Sequence, residues 1–218
     1  MNAQNFTKSI RILKKESIKW DVPVVTLIAA TGKDPFRVLI SCLLSLRTND
    51  RTTAPATERL FAIADTPGGI NKLTIKRLEK LIYPVCFYRN KAKILKDISR
   101  ILITDYESKV PNTLEELLKF KGVGRKTANL VLSQGFNISA ICVDVHVHRI
   151  SNRLGFVETL TPDETEMALR ATLLKKYWIV INEVFVAFGQ QHCRPISPHC
   201  STCKLSSICE KKGVGKSR

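Results

Sequence analysis

Apolar residues recur along most of this chain at intervals of three and four, which is the spacing of one face of a helix. The clearest run lies between residues 90 and 105, with apolar positions at Ile94, Leu95, Ile98, Ile101 and Leu102. The sequence contains no stretch of strand length in which apolar and polar residues alternate, and no internal repeat. The pattern therefore predicts an all-α protein.

Capping and turn residues divide the chain into predicted helices. Asp34 and Pro35 suit the cap and first turn of a helix that is apolar on nearly every face, so we expect this helix to be central and buried. Further helices are predicted at 51–64, 74–82, 90–105, 113–119, 126–133, 144–154, 161–177 and 181–189. Thr66-Pro67-Gly68-Gly69 should stop the helix at 51–64, and the polar, basic tail at 211–218 should be frayed.

Charge narrows the range of partners. The 218 residues are 44% hydrophobic, which suffices for one large domain or two small ones. The formal net charge of +16 and the isoelectric point of about 9.7 favour a polyanionic partner, most simply nucleic acid, over a merely solvated basic surface. The longest apolar run, Val38 to Leu44, is far shorter than the ~20 residues of a membrane span, and lysines interrupt the first twenty residues. We expect a soluble, intracellular protein without a targeting signal.

A glycine turn between two predicted helices is the first candidate for chemistry. Gly122-Val123-Gly124 lies between the helices at 113–119 and 126–133, which is a helix-hairpin-helix pattern. Its glycines allow close backbone approach, and the next helix begins with unpaired N–H groups, so the turn suits a phosphate regardless of base sequence. Arg125 adds a positive charge. The alternative is a plain helical hairpin whose glycines only make the turn.

Two ionisable residues stand at predicted helix starts. Lys126 lies in the first turn after the glycines, where the helix dipole and burial in a cleft would disfavour the ammonium and suit a nucleophilic amine. The alternative is a lysine that contacts a phosphate. Asp144 follows the apolar stretch Ile141-Cys142-Val143 and suits a helix N-cap. A cap at the rim of a cleft can also face a substrate.

Four of the seven cysteines form one pattern. Cys42, Cys86 and Cys142 are scattered among apolar residues and are predicted to be small core residues. Cys193, Cys200, Cys203 and Cys209 follow the spacing C-x6-C-x2-C-x5-C. An odd total in an intracellular chain argues for a metal site over a disulfide framework. Zinc and a [4Fe–4S] cluster both accept four thiolates, although the spacing differs from the paired motifs of zinc ribbons.

In this order, these features resemble the endonuclease III family of DNA glycosylases, from about Pro35 to Cys209. The motifs that carry the resemblance are Leu44-Ser45-x-Arg47-Thr48-x-Asp50, Phe87-Tyr88-x-x-Lys91-Ala92, Gly122-Val-Gly-Arg-Lys-Thr-Ala128, Val143-Asp144-x-His146-Val147-x-Arg149 and the four-cysteine loop. The resemblance implies two helical lobes that flank a DNA-binding cleft. One is a six-helix barrel domain with the helix-hairpin-helix, at 28–138. The other is an iron–sulfur cluster domain formed by 1–27 and 139–218, in which the four cysteines hold a [4Fe–4S] cluster.

The resemblance also implies an activity. The expected enzyme is a monomeric, bifunctional DNA glycosylase and AP lyase that flips damaged bases, such as oxidised pyrimidines, out of duplex DNA. Lys126 matches the family's nucleophile and Asp144 its catalytic carboxylate. Two alternatives stay open: a monofunctional mismatch glycosylase, against which Lys126 argues, and a non-catalytic DNA-binding iron–sulfur protein.

Six residues are expected to contact DNA, namely Gly122, Gly124, Arg125, Arg47, Phe87 and His146. Arg47 stands where many family members have a glutamine that fills the gap left by the flipped base. Phe87 stands where the family often has a leucine wedge, and Lys121 replaces the proline that usually precedes the first hairpin glycine. These departures bear on substrate preference and opposite-strand contacts and leave the chemistry intact.

Overall fold

The computed structural model describes residues 1–20, 25, 28 and 34–218. Every regular element within these residues is helical, so the all-α prediction is confirmed. The α-helices are α1 (Ala3–Glu16), α2 (Pro35–Ser45), α3 (Asp50–Phe61), α4 (Pro67–Lys72), α5 (Ile75–Ile82), α6 (Tyr88–Asp105), α7 (Leu114–Leu118), α8 (Arg125–Leu130), α9 (Val145–Arg153), α10 (Pro162–Thr172) and α11 (Trp178–Gln191). In the part of the chain that the structure describes, no helix is long and apolar enough to cross a membrane.

The chain forms two compact units. One consists of Met1–Pro23 with Ser139–Arg218, and the other of Val24–Ile138. The expected domain boundary between residues 27 and 28 falls in the stretch 21–33, of which only Val25 and Ile28 belong to the described residues. The assignment of the units to a six-helix barrel and a cluster domain stays a prediction.

Helix α2 is central to the unit Val24–Ile138, as its sequence predicts. The side chain of Asp34 caps it by accepting a hydrogen bond from the Phe36 amide at 2.8 Å, and Pro35 occupies the first turn. All residues from Val38 to Leu44 are buried. Fully buried leucines of this kind contribute about 2–5 kcal/mol each, as judged by truncation to alanine.

Three predicted helices end at least three residues early, each for a local reason, and the helix predicted at 181–189 begins earlier, at Trp178. The helix predicted at 51–64 ends at Phe61, and Thr66 starts a new helix instead of only stopping the old one, because its hydroxyl accepts from the Gly69 amide at 3.1 Å. The helix at 126–133 ends at Leu130 and continues as a π-helix, Val131–Gly135. The helix at 161–177 ends at Thr172, because Leu173 is extended and its carbonyl accepts from the Trp178 indole at 2.8 Å.

The other unit has an aromatic centre. Phe6 of α1 is fully buried, stacks on Phe156 with ring centroids 3.8 Å apart, and meets the edge of Phe185 at 5.8 Å. Helix α11 is buried over most of its surface, which explains its almost uninterrupted apolar sequence. This core ties the first helix of the chain to its last long one.

The tail at 211–218 is folded back onto the structure, so the expectation of fraying is wrong. The Lys212 amide donates to the Arg153 carbonyl at 3.1 Å, and the Arg218 amide donates to the Pro198 carbonyl at 2.8 Å. The Arg218 carbonyl accepts from the Ser201 amide at 2.8 Å. The tail is polar because most of its side chains are exposed to solvent. Its backbone groups nevertheless form hydrogen bonds with Arg153 and with residues of the cysteine loop.

Candidate active site and cysteine loop

The glycine hairpin joins α7 to α8 as the sequence predicts. Thr113 caps α7 by accepting from the Glu116 amide at 3.3 Å. Gly122 has a φ of +83°, a left-handed conformation, and a Cβ there would meet the side chains of Ile94 and Leu43 at ordinary distances of 3.5 Å and 3.7 Å. The backbone conformation, rather than a lack of space, therefore requires glycine. Gly124 is the N-cap of α8, and no side chain caps that helix there.

Lys126 is the second residue of α8, at the helix end predicted for it, but it is exposed instead of buried. It lies near Cys42 of α2. Burial raises the pKa of the Cys42 thiol to about 12, and the positive charge of Lys126 opposes that shift. The neighbours Thr127 and Ala128 are buried, so α8 is anchored on the side away from Lys126.

Asp144 is the N-cap of α9, which confirms its structural prediction. It is 8% exposed, and its Oδ1 accepts from the amides of His146 and Val147, each at 2.9 Å. Both amides bond to the same oxygen, so neither engages Oδ2. A buried carboxylate held by two backbone donors has a fixed orientation. The direction in which its second oxygen points is therefore fixed as well.

Arg149 links the helix of Asp144 to the cysteine loop. Its Nη2 contacts His146 Nδ1 at 3.1 Å and donates to the carbonyl of Cys193 at 2.9 Å. Burial lowers the pKa of Arg149, and the charges of Cys193 and Asp144 oppose this effect. Sequence reasoning did not single out Gly189, where any Cβ would collide with the His146 ring. The only signal was a glycine inside an apolar helix.

Cys193, Cys200, Cys203 and Cys209 are half-buried free thiols that line one cavity together with apolar side chains such as Phe188 and Leu205. Among the described residues, no three His, Cys, Asp or Glu side chains are grouped so that they could hold a metal ion. Cys86, in contrast to the prediction of a core residue, is exposed in the turn before α6, while Cys42 and Cys142 are buried as predicted.

Hydrogen-bond donors surround these sulfurs. The Leu205 amide donates to Cys203 Sγ at 3.4 Å, and the Lys211 amide donates to Cys209 Sγ at 3.4 Å. Arg153 donates to Cys193 Sγ at 3.5 Å and fixes the loop through the carbonyls of Arg194 and Pro195, each at 2.7 Å. Donors of this kind stabilise thiolates.

The electrostatics of the loop indicate that four thiolates here would need a positive charge beside them. Burial raises the pKa of Cys203, and the charges of the other three cysteines raise it further. His192 lines the same cavity, and its buried Nε2 has no hydrogen-bond partner among the described residues. Four thiolates would repel one another unless a positively charged centre lay between them. The unpaired Nε2 of His192 would be placed to bond with a polar atom on the surface of that centre.

Arg47 and Phe87 lie together in the unit Val24–Ile138. Both are exposed and left-handed, with φ values of +55° and +58°. They line one groove together with Lys91 and the hairpin glycine Gly122. The structure thus brings together three of the residues expected to contact DNA. His146 belongs to the other unit, where it is half-buried.

Comparisons with known proteins give the family. The model of the HhH-GPD superfamily base excision DNA repair protein matches residues 40–175. The chain is 50% identical over 188 residues to endonuclease III of Thermotoga maritima, covering 85% of this chain and 88% of that protein. It is 45% identical over 183 residues, 80% of its length, to the chloroplastic endonuclease III homolog 2 of Arabidopsis thaliana, of which it spans 47%.

A solved structure extends the likeness to almost the whole chain. It is described as a trapped endonuclease III–DNA covalent intermediate, an estranged-adenine complex. The TM-score is 0.84 at 32% identity, and the match covers 97% of this chain and 98% of that one. The resemblance inferred from the sequence motifs is confirmed. The chain therefore belongs to the endonuclease III family, within the HhH-GPD superfamily of base excision DNA repair proteins.

Proposed function

We propose that this protein is a bifunctional DNA glycosylase and AP lyase, which excises a damaged base from duplex DNA and then cleaves the strand 3′ of the abasic site. The observation that carries the proposal is the position of Lys126, an exposed amine in the first turn of the helix that follows the glycine hairpin. Its family consists of base excision repair proteins. A solved relative is described as trapped covalently on DNA.

Lys126 supplies the nucleophile. The lone pair of its neutral Nζ attacks C1′ of the flipped nucleotide, the glycosidic C–N bond breaks, and the base leaves with the electron pair and takes up a proton. The sugar ring opens at the C1′–O4′ bond to give a Schiff base between C1′ and Nζ. Loss of a C2′ proton then drives cleavage of the C3′–O3′ bond, and the 3′ phosphate leaves. Water hydrolyses the Schiff base and frees the enzyme.

Asp144 supplies the carboxylate of this reaction. Its Oδ1 is held by two backbone amides, so its Oδ2 is the oxygen available to a substrate. We assign it two related tasks, which are removal of a proton from the Lys126 ammonium and stabilisation of the positive charge that develops on the sugar. Both tasks require an ionised carboxylate.

Duplex DNA with damaged bases or abasic sites is the proposed partner. Gly122, Gly124 and Arg125 would bind a phosphate through the hairpin, and the net charge of +16 would draw the chain to DNA independently of sequence. Arg47 would fill the gap left by the flipped base, and Phe87 would wedge between neighbouring bases. His146, beside Asp144, is the remaining proposed contact. Oxidised pyrimidines are the proposed substrates, and the enzyme would act as a monomer in the cytoplasm, or at the nucleoid of a prokaryote.

The four cysteines fit a [4Fe–4S] cluster, which we propose they hold. They line one cavity, amides and Arg153 donate to their sulfurs, and the orphaned Nε2 of His192 lies beside them. The bound cluster would supply a compact charged centre that orders the loop. Arg149 and Arg153 belong to α9 and bond to carbonyls of the loop. An ordered loop would therefore help to fix α9, which begins directly after Asp144.

Borohydride trapping on a duplex with one abasic site tests this function. The parent protein should give a covalent protein–DNA adduct, whereas Lys126→Gln should bind the duplex and give none. Lys121→Gln is the matched control, because Lys121 is an exposed lysine of the same hairpin and should be dispensable. A parent that gives no adduct on the abasic duplex but releases free base from a duplex with an oxidised pyrimidine is a monofunctional glycosylase. A parent that does neither while binding DNA is a non-catalytic binder, and either result overturns the proposal.

A further inference from the structure

Lys91 of α6 is a buried ammonium with a complete set of partners. The residue is 7% exposed, and its Nζ donates to the carbonyls of Leu44 and Leu46, each at 2.7 Å, and to Thr48 Oγ1 at 3.3 Å. The carbonyls lie at the end of α2, where a helix has unpaired acceptors and partial negative charge. Burial lowers the pKa of Lys91 to about 8, so the amine is mostly protonated at neutral pH. Three N–H donors therefore meet three acceptors.

The hydroxyl of Thr48 extends this set to a second loop. Its oxygen accepts from Lys91 and from the amide of Cys86 at 3.2 Å, and it donates to the Leu46 carbonyl at 3.3 Å. A hydroxyl has one proton and two lone pairs, so all its capacity is used. Through this atom the segment after α2 is bonded to the segment before α6.

The two exposed, left-handed residues stand inside this network. Arg47 lies between Leu46 and Thr48, and Phe87 directly follows Cys86. A left-handed conformation costs a non-glycine residue about 1–2 kcal/mol and persists only where neighbouring contacts impose it. The bonds to Leu46, Thr48 and Cys86 are contacts of this kind, and the Phe87 carbonyl accepts from the Lys91 amide at 2.9 Å.

We propose that Lys91 is a positioning residue that, through Thr48, holds Arg47 and Phe87 in the conformation in which they enter DNA. Lys91 itself touches no reacting atom in this role. The inference rests on the proposed function as a DNA glycosylase. Beyond that function, the free enzyme already holds the backbone of both inserting residues in its final conformation, so DNA binding does not have to change it.

The substrate form separates this role from general stability. A duplex must be opened and its gap filled, which requires Arg47 and Phe87, whereas an abasic site in single-stranded DNA needs only the Lys126 chemistry. Loss of Lys91 should therefore slow adduct formation on duplex DNA by about tenfold or more, as expected when a positioning contact is lost, and change the single-stranded reaction little.

Helix α6 offers a matched control. Lys96 donates in the same way to the carbonyls of Asn71 and, at 2.5 Å, Leu73, at the end of α4. Lys96→Met therefore removes a similar lysine–helix-end contact that does not involve Leu46, Thr48 or Cys86. It should lower the free energy of unfolding without changing the ratio of duplex to single-stranded rates.

The experiment measures single-turnover borohydride trapping on both DNA forms for the parent, Lys91→Met and Lys96→Met, with urea unfolding of each. Fluorescence of 2-aminopurine opposite the abasic site reports insertion. We expect the ratio of duplex to single-stranded rates and the insertion rate to fall only in Lys91→Met. Equal loss on both DNA forms, or the same ratio in both variants, overturns the proposal. Failure of the parent to form any adduct instead overturns the proposed function.

Thr48 keeps the test available if Lys91→Met does not fold. Thr48→Val removes the hydroxyl at nearly constant volume, and Thr48→Ser restores it. We expect Thr48→Val to show the same duplex-selective loss and Thr48→Ser to recover the parent ratio. A parent-like ratio in Thr48→Val contradicts the proposal.

Discussion

The groove of Arg47 and Phe87 and the loop of the four cysteines are ordered by different means. The groove lies beside regular helices, and its strained residues are held by Lys91 and Thr48. The cysteine loop, from residue 193 onward, contains no regular helix and consists of backbone turns around a cavity lined by four sulfurs. The first region is ordered by contacts within the protein, whereas the second would gain further order from the proposed cluster.

The largest effect should follow from breaking the cysteine loop. Cys203→Ser removes one of the four proposed ligands, so the protein should lose its brown colour and visible absorbance. Hydrogen exchange should increase along residues 193–218 but little in the unit Val24–Ile138. Cys86→Ser is the control, because that thiol is exposed and is not one of the four proposed ligands, and it should keep the absorbance. Full absorbance in Cys203→Ser would contradict the proposed ligand set.

A second prediction separates chemistry from structure at Asp144. Asparagine is as good an N-cap as aspartate, so Asp144→Asn should keep the stability of α9 within about 0.5 kcal/mol. It removes the ionised carboxylate, so base excision should slow by about 10²–10⁴-fold. Asp34→Asn, which changes the cap of α2 in the same way, should leave the rate unchanged. Equal rates in the two variants would mean that Asp144 is only a cap.

The smallest effect concerns the hairpin, where two glycines can be compared. Gly122→Ala places a Cβ at a φ of +83°, so it should lower the free energy of unfolding by about 1–2 kcal/mol. Gly124→Ala has open space and an ordinary φ of −98°, so it should cost at most about 1 kcal/mol. Urea unfolding measures both. A smaller loss at Gly122 than at Gly124 would show that the left-handed turn is not what requires glycine.

Local signals predicted a large part of the fold and of the candidate site. Asp34, Thr113 and Asp144 cap the helices assigned to them, since a cap needs only short-range geometry. The four cysteines share a cavity as their spacing suggested. The end of the helix at Thr172 depends on Trp178, and the order of the tail depends on Pro198 and Arg153. Neither feature could be predicted from the neighbouring residues in sequence.

The roles of polar residues inside motifs were the least predictable. Lys91 stood in a motif as one basic residue among many, and its burial depends on the end of a helix almost fifty residues earlier in the chain. Cys86 is exposed because it lies in the turn before α6. Its apolar neighbours in sequence could not predict this, since they do not determine which way a turn residue points. Sequence spacing identifies such residues as candidates, whereas only the packing of α2 against α6 reveals their partners.

If Arg47 and Phe87 insert into DNA as proposed, their left-handed conformations affect how fast the enzyme can search a duplex. A basic protein that slides along a duplex meets far more intact base pairs than damaged ones. If its inserting side chains had to fold at each stop, the folding time would be added to every inspection. With both residues already set, the time spent at each base pair depends on how readily that pair opens, and weakened pairs at lesions would be tested fastest.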